Sequence, residues 1–163
     1  MKDLKKLANE CIAELTSIGI QPGKINFWLV NTRAKTRWGQ CRRVAPGEFT
    51  ISISESLLHD YVEDMATKNT IMHELLHTVK GCHGHTDLWK ELAMEVNYKL
   101  PGYNVKRTTG SEEKGVPSRR TNRYGVKCPH CGKEYYRERM CRLIEHPERF
   151  RCGICTFPLE RLR

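Results

Sequence analysis

The segment His73-Glu74-Leu75-Leu76-His77 places two histidines four residues apart with a glutamate directly after the first. On a helix that spacing puts both imidazoles on one face, within reach of a single metal ion, with Glu74 beside an open coordination position. Ile71, Leu75, Leu76 and Val79 make the surround largely apolar, and no Pro or Gly interrupts residues 67–80. A helix is therefore expected there, with Asn69 or Thr67 as its cap. An ordinary amphipathic helix would fit the bare pattern, but burying His73, Glu74 and His77 without a metal leaves three polar groups in need of partners. The expected chemistry is hydrolytic. Zinc held by neutral imidazoles keeps its charge and an open position, acidifies a bound water to a pKa of about 7, and leaves Glu74 to act as general base.

Such a centre needs a third protein ligand, and several side chains compete for the place. His83 follows His77 by six residues, the spacing of H-E-x-x-H-x-x-G-x-x-H, but Lys80 stands where that pattern has glycine. Glu91 and Glu95 would supply a carboxylate from the next helix, Cys82 a thiolate, and His85 another imidazole. Gly81 allows the chain to double back toward any of them. Tyr98 and Tyr103 are available as donors to a developing oxyanion.

A second metal pattern lies near the C-terminal end. Cys128-Pro-His-Cys131 and Cys152-Gly-Ile-Cys155 are two C-x-x-C knuckles twenty residues apart. That spacing predicts a four-cysteine structural zinc site, a zinc ribbon. Metal-bound thiols suit a reducing compartment. The charged opening Met1-Lys-Asp-Leu-Lys-Lys-Leu has no apolar core or cleavage site, so a cytoplasmic location is expected. Cys11, Cys41, Cys82 and Cys141 are expected as free thiols, and His130 and His146 as surface residues.

The run H-E-L-L-H, a short Gly-containing loop, then Gly84-His85-Thr86-Asp87-Leu88-Trp89 resembles the SprT-like zinc metalloproteases. In that family the third histidine precedes an aromatic residue by four positions; His85 stands four before Trp89, so the resemblance implies His73, His77 and His85 as ligands. SprT-like proteins commonly carry a C-terminal ribbon whose second knuckle is similar to Phe150-Arg-Cys-Gly-Ile-Cys. Arg37-Trp-Gly-Gln-Cys41 also resembles a stretch of related bacterial zinc hydrolases, which have W-G-x-C before the H-E-x-x-H helix. The resemblance implies two zinc ions, one catalytic and one structural, and cleavage of proteins bound or crosslinked to DNA.

The elements that must position these residues follow from periodicity. Leu4, Leu7, Cys11, Leu15 and Ile18 recur at helical spacing up to Gly19. Ile25, Phe27 and Leu29 alternate as in a strand, as do Phe49, Ile51 and Ile53, with a further strand from within Arg33 to Val44 and a turn at Ala45-Pro-Gly-Glu48. A helix from Ser54 or Ser56 through Val62, the histidine helix, and a helix from Asp87 to Leu100 complete the set. The expected fold is α+β: a zincin-like core with a three-stranded antiparallel sheet packed by helices, then a small ribbon. Its expected divisions are a metalloprotease domain at 1–103, a basic linker at 104–123 and the ribbon at 124–163. Thr50 to Ser54 is the expected edge for pairing with an extended substrate.

Charge separates the modules. Residues 1–103 hold 13 Lys or Arg against 12 Asp or Glu, whereas 104–163 hold 15 against 7, so nearly all of the +9 lies C-terminal. Arg107, Lys114, Arg119, Arg120, Arg123 and Lys127, followed by Arg137, Arg139, Arg142, Arg149 and Arg151, would bind phosphates, with Tyr124, Tyr135 and Tyr136 as stacking faces. The expected partners are protein substrates and DNA, single-stranded or junction-like, with no membrane and a monomeric chain. Two other functions fit the same residues: a general cytoplasmic zinc peptidase with a purely structural ribbon, and a non-catalytic nucleic-acid-binding zinc protein.

Overall fold

In a computed structural model that describes residues 1–34, 37–117 and 123–162, the chain forms two compact units, Met1–Ser118 and Arg119–Arg163. The first opens with α1 (Leu4–Ser17), capped by Asp3, whose carboxylate accepts the backbone N–H groups of Lys5 and Lys6 at 2.9 and 3.1 Å. Its apolar face, Leu4, Leu7, Ala8, Cys11 and Leu15, is buried.

Strands β1 (Lys24–Asn31), β2 (Gly39–Ala45) and β3 (Glu48–Ser54) form one sheet in the order β1-β3-β2. The sheet is mixed, which corrects the expectation of an all-antiparallel one: β2 and β3 are antiparallel, but β1 runs parallel to β3. Burial gives the reason. Phe49, Ile51 and Ile53 are buried, so β3 takes the centre, while β2 carries the exposed Arg42 and Arg43 that suit an edge. The substrate-pairing edge expected at Thr50–Ser54 is accordingly misplaced, because β3 has a neighbour on each side. A register shift between Ile25 and Phe27 makes Asn26 an extra residue in β1. Beyond this bulge the facing is reversed: Phe27 and Leu29 are exposed while Trp28 packs against the core.

Helix α2 (Asp64–Leu76) carries the first histidine motif and packs against α1, β2, β3 and the next helix, α3 (Asp87–Lys99). Its N-cap is Glu63, earlier than the sequence suggests, and both expected caps are committed elsewhere. The Thr67 hydroxyl donates to the Leu57 carbonyl at 2.7 Å, and the Asn69 side-chain oxygen accepts the Asn104 N–H at 2.7 Å. It also stops earlier, with His77 as its C-cap. Before it, the helix expected to run to Val62 is reduced to a single 3-10 turn, Glu55–Leu57.

Residues 104–117 are part of the first unit and not a free linker. Val105 and Val116 join its core, Asn97 exchanges two hydrogen bonds with the Val105 backbone at 3.0 and 2.6 Å, and the Trp38 indole donates to the Thr109 carbonyl at 3.0 Å. The segment therefore acts as a strap over the middle of α2, and the first unit extends beyond 103 to take in most of the expected linker at 104–123.

The second unit is a sheet in the order β5-β4-β6, all antiparallel, built from β4 (Tyr124–Lys127), β5 (Glu134–Arg137) and β6 (Glu160–Arg161), with a short helix α4 (Arg142–Glu145). Its core is small: Val126, Cys128, Ile144, Cys152 and Leu159.

Candidate metal centres

Three imidazoles converge in the first unit. His73 and His77 lie on and at the end of α2, and His85 precedes the Thr86 cap of α3, whose hydroxyl accepts the Trp89 N–H at 3.3 Å. Gly81, at φ +91°, gives the turn that brings His85 back. The Nε2 of His73 lies 3.3 Å from that of His77 and 3.1 Å from that of His85. On the opposite ring atoms, His73 Nδ1 sits 2.9 Å from the Lys106 carbonyl and His77 Nδ1 sits 3.0 Å from the Cys82 carbonyl. Each of these two rings thus donates its Nδ1 proton to the backbone and leaves its Nε2 lone pair pointing at the common centre.

That arrangement fits zinc. Zn–N bonds of about 2.0–2.1 Å at tetrahedral angles place ligand nitrogens about 3.3 Å apart. Burial, the largest influence on each, holds all three imidazoles below the ordinary His value, His73 at about 4, which keeps them neutral as ligands must be. Trp89 walls the cluster, its ring 4.7–5.5 Å from each imidazole.

Glu74 is buried beside His73, and its surroundings give the Trp38-Gly39-Gln40-Cys41 run a physical meaning. A Cβ on Gly39 would come within 2.5 Å of the Glu74 carboxylate, so only glycine leaves room for it. Burial raises this carboxyl to about 7, opposed by the Cys41 backbone N–H and the Arg37 guanidinium. Sequence alone gives this run no task, because the contact that does so joins β2 to α2, segments distant along the chain.

The other candidates for third ligand lie elsewhere. His83 is next to Arg43, with 3.5 Å between His83 Nε2 and an Arg43 guanidinium nitrogen. Glu95 pairs with Lys99 at 2.6 Å, Glu91 is exposed, and Cys82 is buried outside the histidine cluster. Neither tyrosine reaches the site: Tyr103 is buried with its hydroxyl on Glu14 and Cys11, and Tyr98 is exposed on α3.

In the second unit the four cysteines meet, with Sγ atoms of Cys128 and Cys155 3.4 Å apart and those of Cys131 and Cys152 3.5 Å apart. All four sulfurs lie within 4.8 Å of one another. Those separations are far too long for a disulfide and suit a tetrahedral thiolate site with Zn–S near 2.3 Å. The two knuckles share one fold. Cys128 N–H donates to the Lys133 carbonyl and Cys152 N–H to the Phe157 carbonyl, both at 2.8 Å, while the Gly132 and Thr156 N–H groups return to Cys128 and Cys152, both at 2.9 Å. The fourth residue after each leading cysteine has positive φ: Gly132 at 73°, Thr156 at 57°. The Tyr135 hydroxyl, then the Cys155 and Ile154 N–H groups, lower the Cys152 thiol to about 6, favouring its thiolate.

Of the expected phosphate contacts, Arg119 and Arg120 lie outside the described residues, while Arg123, Arg137, Arg139 and Arg142 are exposed, as are Arg149 and Arg151. Two expected members drop out. Lys114 is buried in the first unit, and Lys127 pairs with Glu160 at 3.2 Å. Tyr135 is turned toward the cysteines and Tyr124 packs on the ribbon core, leaving Tyr136 as the exposed ring of the three. An aromatic pair that sequence reading missed, His130 stacked on Phe157 at 5.1 Å, joins the two knuckles.

Fold and site together define an α+β protein with two candidate zinc centres, one of three histidines and one of four cysteines. The SprT-like family model matches residues 8–109, from α1 through α3 and into the strap, and the chain belongs to the SprT-like family. No curated protein matches it. Among the described residues no helix is long and apolar enough to cross a membrane.

Proposed function

We propose that the chain is a zinc-dependent endopeptidase that cuts proteins bound or crosslinked to DNA. The observation that carries the peptidase reading is the convergence of three Nε2 atoms beside a buried glutamate that only a glycine at position 39 accommodates. His73, His77 and His85 would hold the catalytic zinc, and Cys128, Cys131, Cys152 and Cys155 the structural one. Zinc at the first site supplies a Lewis acid that lowers the pKa of water and polarises a carbonyl.

The chain's own residues do the rest. Glu74 takes a proton from the attacking water and returns it to the leaving amine, a role suited to a carboxyl raised toward neutrality by burial. The free edge of β2 pairs with the substrate main chain; Gly39, Gln40, Cys41 and Arg43 line the same hollow as His73, Glu74, His77 and His85. Backbone pairing by itself reads little sequence, so the choice among proteins falls largely to delivery. The exposed arginines of the ribbon, with Tyr136, Phe157 and His130 as stacking surfaces, support delivery to DNA.

Degradation of a DNA-binding protein by the full zinc-loaded chain, with and without single-stranded DNA, tests the reading. Stimulation by DNA that weakens as salt rises is expected. Equal cleavage with and without DNA would favour a general peptidase, and no cleavage in either case a nucleic-acid-binding zinc protein.

A further inference from the structure

Two hollows share Gly39, His73 and Glu74. One runs along β2 to His83; the other, of about 220 Å³, is walled by Trp38, Asn69, Thr70 and the strap. Its charge is unbalanced. Lys106, Arg107 and Lys114 line it, against Glu74 as the sole lining carboxylate. Lys106 is neutralised by Glu113 at 2.9 Å. Lys114 is different: it is 4 % exposed, its ammonium donates to the Ala66 carbonyl at 3.0 Å, and the favourable charge near it, that of Glu113, is already paired with Lys106. A buried cation held by one backbone carbonyl is costly unless an anion completes its surroundings.

The direction of β2 says which part of a substrate meets it. β2 runs from Gly39, shared by both hollows, toward Arg43, which lines only the first. An extended substrate pairing antiparallel, the more stable arrangement, runs the other way. Its residues after the scissile bond then lie at the Gly39 end, over the second hollow.

We propose that this hollow is a subsite for a carboxylate on the residue directly following the scissile bond, with Lys114 as the specificity-determining group. The inference rests on the peptidase reading above and deepens it. The carboxylate is that of an acidic side chain or of a chain terminus, and both present the same anion to the ammonium. Burial lowers Lys114 only to about 8, which leaves it mostly charged at neutral pH.

The test uses the full zinc-loaded chain and peptides that differ only at the residue after the scissile bond, Glu or Gln, with a further pair ending there as free acid or amide. The expected kcat/KM ratio of Glu to Gln, or of acid to amide, is about tenfold or more, as for hydrogen bonds to charged groups; the pair that shows it identifies the source of the carboxylate. Lys114→Met, checked for folding by its melting temperature, should bring that ratio to about one. Ratios near one in the unaltered chain would overturn the proposal, as would a Lys114→Met protein that lowers both members of a pair in proportion. Anisotropy of the labelled peptides on the Glu74→Gln protein, with and without Lys114→Met, measures the same discrimination as binding. Absence of all cleavage would therefore defeat the peptidase reading, while the binding ratio still decides this one.

Discussion

The two candidate metal centres sit in opposite kinds of surroundings. Two of the three histidines, His73 and His77, hang on a helix whose Ile71, Met72, Leu75 and Leu76 are all fully buried in a core drawn from α1, the sheet and α3. The cysteines instead make up much of what little core their unit has, since Cys128 and Cys152 are two of its five buried members. Where apolar burial fixes the ligands in advance, a bound metal would be free to do chemistry; where the ligands are the core, it would be needed to fold it.

The largest effect expected from this contrast is on the ribbon. Replacing Cys128 and Cys152 by Ser should unfold residues 124–162, since structural zinc contributes about 10 kcal/mol or more in small domains. Hydrogen exchange should show the loss confined to that unit. Simultaneous unfolding of α1 and α2 would break the contrast.

Within the first unit, His85→Ala should lose the catalytic zinc and nearly all hydrolysis without unfolding, whereas His83→Ala should keep both. Metal analysis together with circular dichroism decides, and zinc loss in His83→Ala alone would move the third ligand. Gly39→Ala sharpens the picture further. The added methyl displaces the Glu74 carboxylate, so turnover should fall roughly 100-fold, the scale of an ångström-sized misplacement, while zinc stays bound. Near-normal rates in that variant would mean that the contact with Gly39 does not position Glu74.

The smallest expected effect is at Thr156, which holds at φ 57° the conformation that Gly132 takes in the other knuckle. Thr156→Gly should stabilise the metal-loaded ribbon by about 1 kcal/mol, read from its zinc-release midpoint in a chelator titration. A clear destabilisation would mean that the Thr156 hydroxyl, which donates to the Cys155 carbonyl at 2.7 Å, outweighs backbone strain.

Much of the site was legible because its signals are local. His73 and His77 are one helical turn apart, and each cysteine pair is one knuckle. His85 was reached by resemblance, not by spacing. What sequence did not reveal depends on contacts between distant segments. The central place of β3 follows from how deeply its side chains are buried, a bulge at Asn26 reverses the face of β1, and Thr67 and Asn69 serve other elements instead of capping α2. Residues 104–117 have no periodic pattern, so a strap held by Val105, Val116 and Lys114 looks like a basic linker until its partners are in place.

The central claim, that the histidine cluster is a working hydrolytic centre with Glu74 as its base, is tested most directly by Glu74→Gln. The substitution keeps the size and hydrogen-bonding reach of the side chain while removing the base. Two zinc ions per chain and an unchanged fold, with cleavage of a DNA-bound protein reduced about 100-fold or more, are the predicted result. Cleavage at the unaltered rate by a Glu74→Gln protein that retains both metals would contradict it.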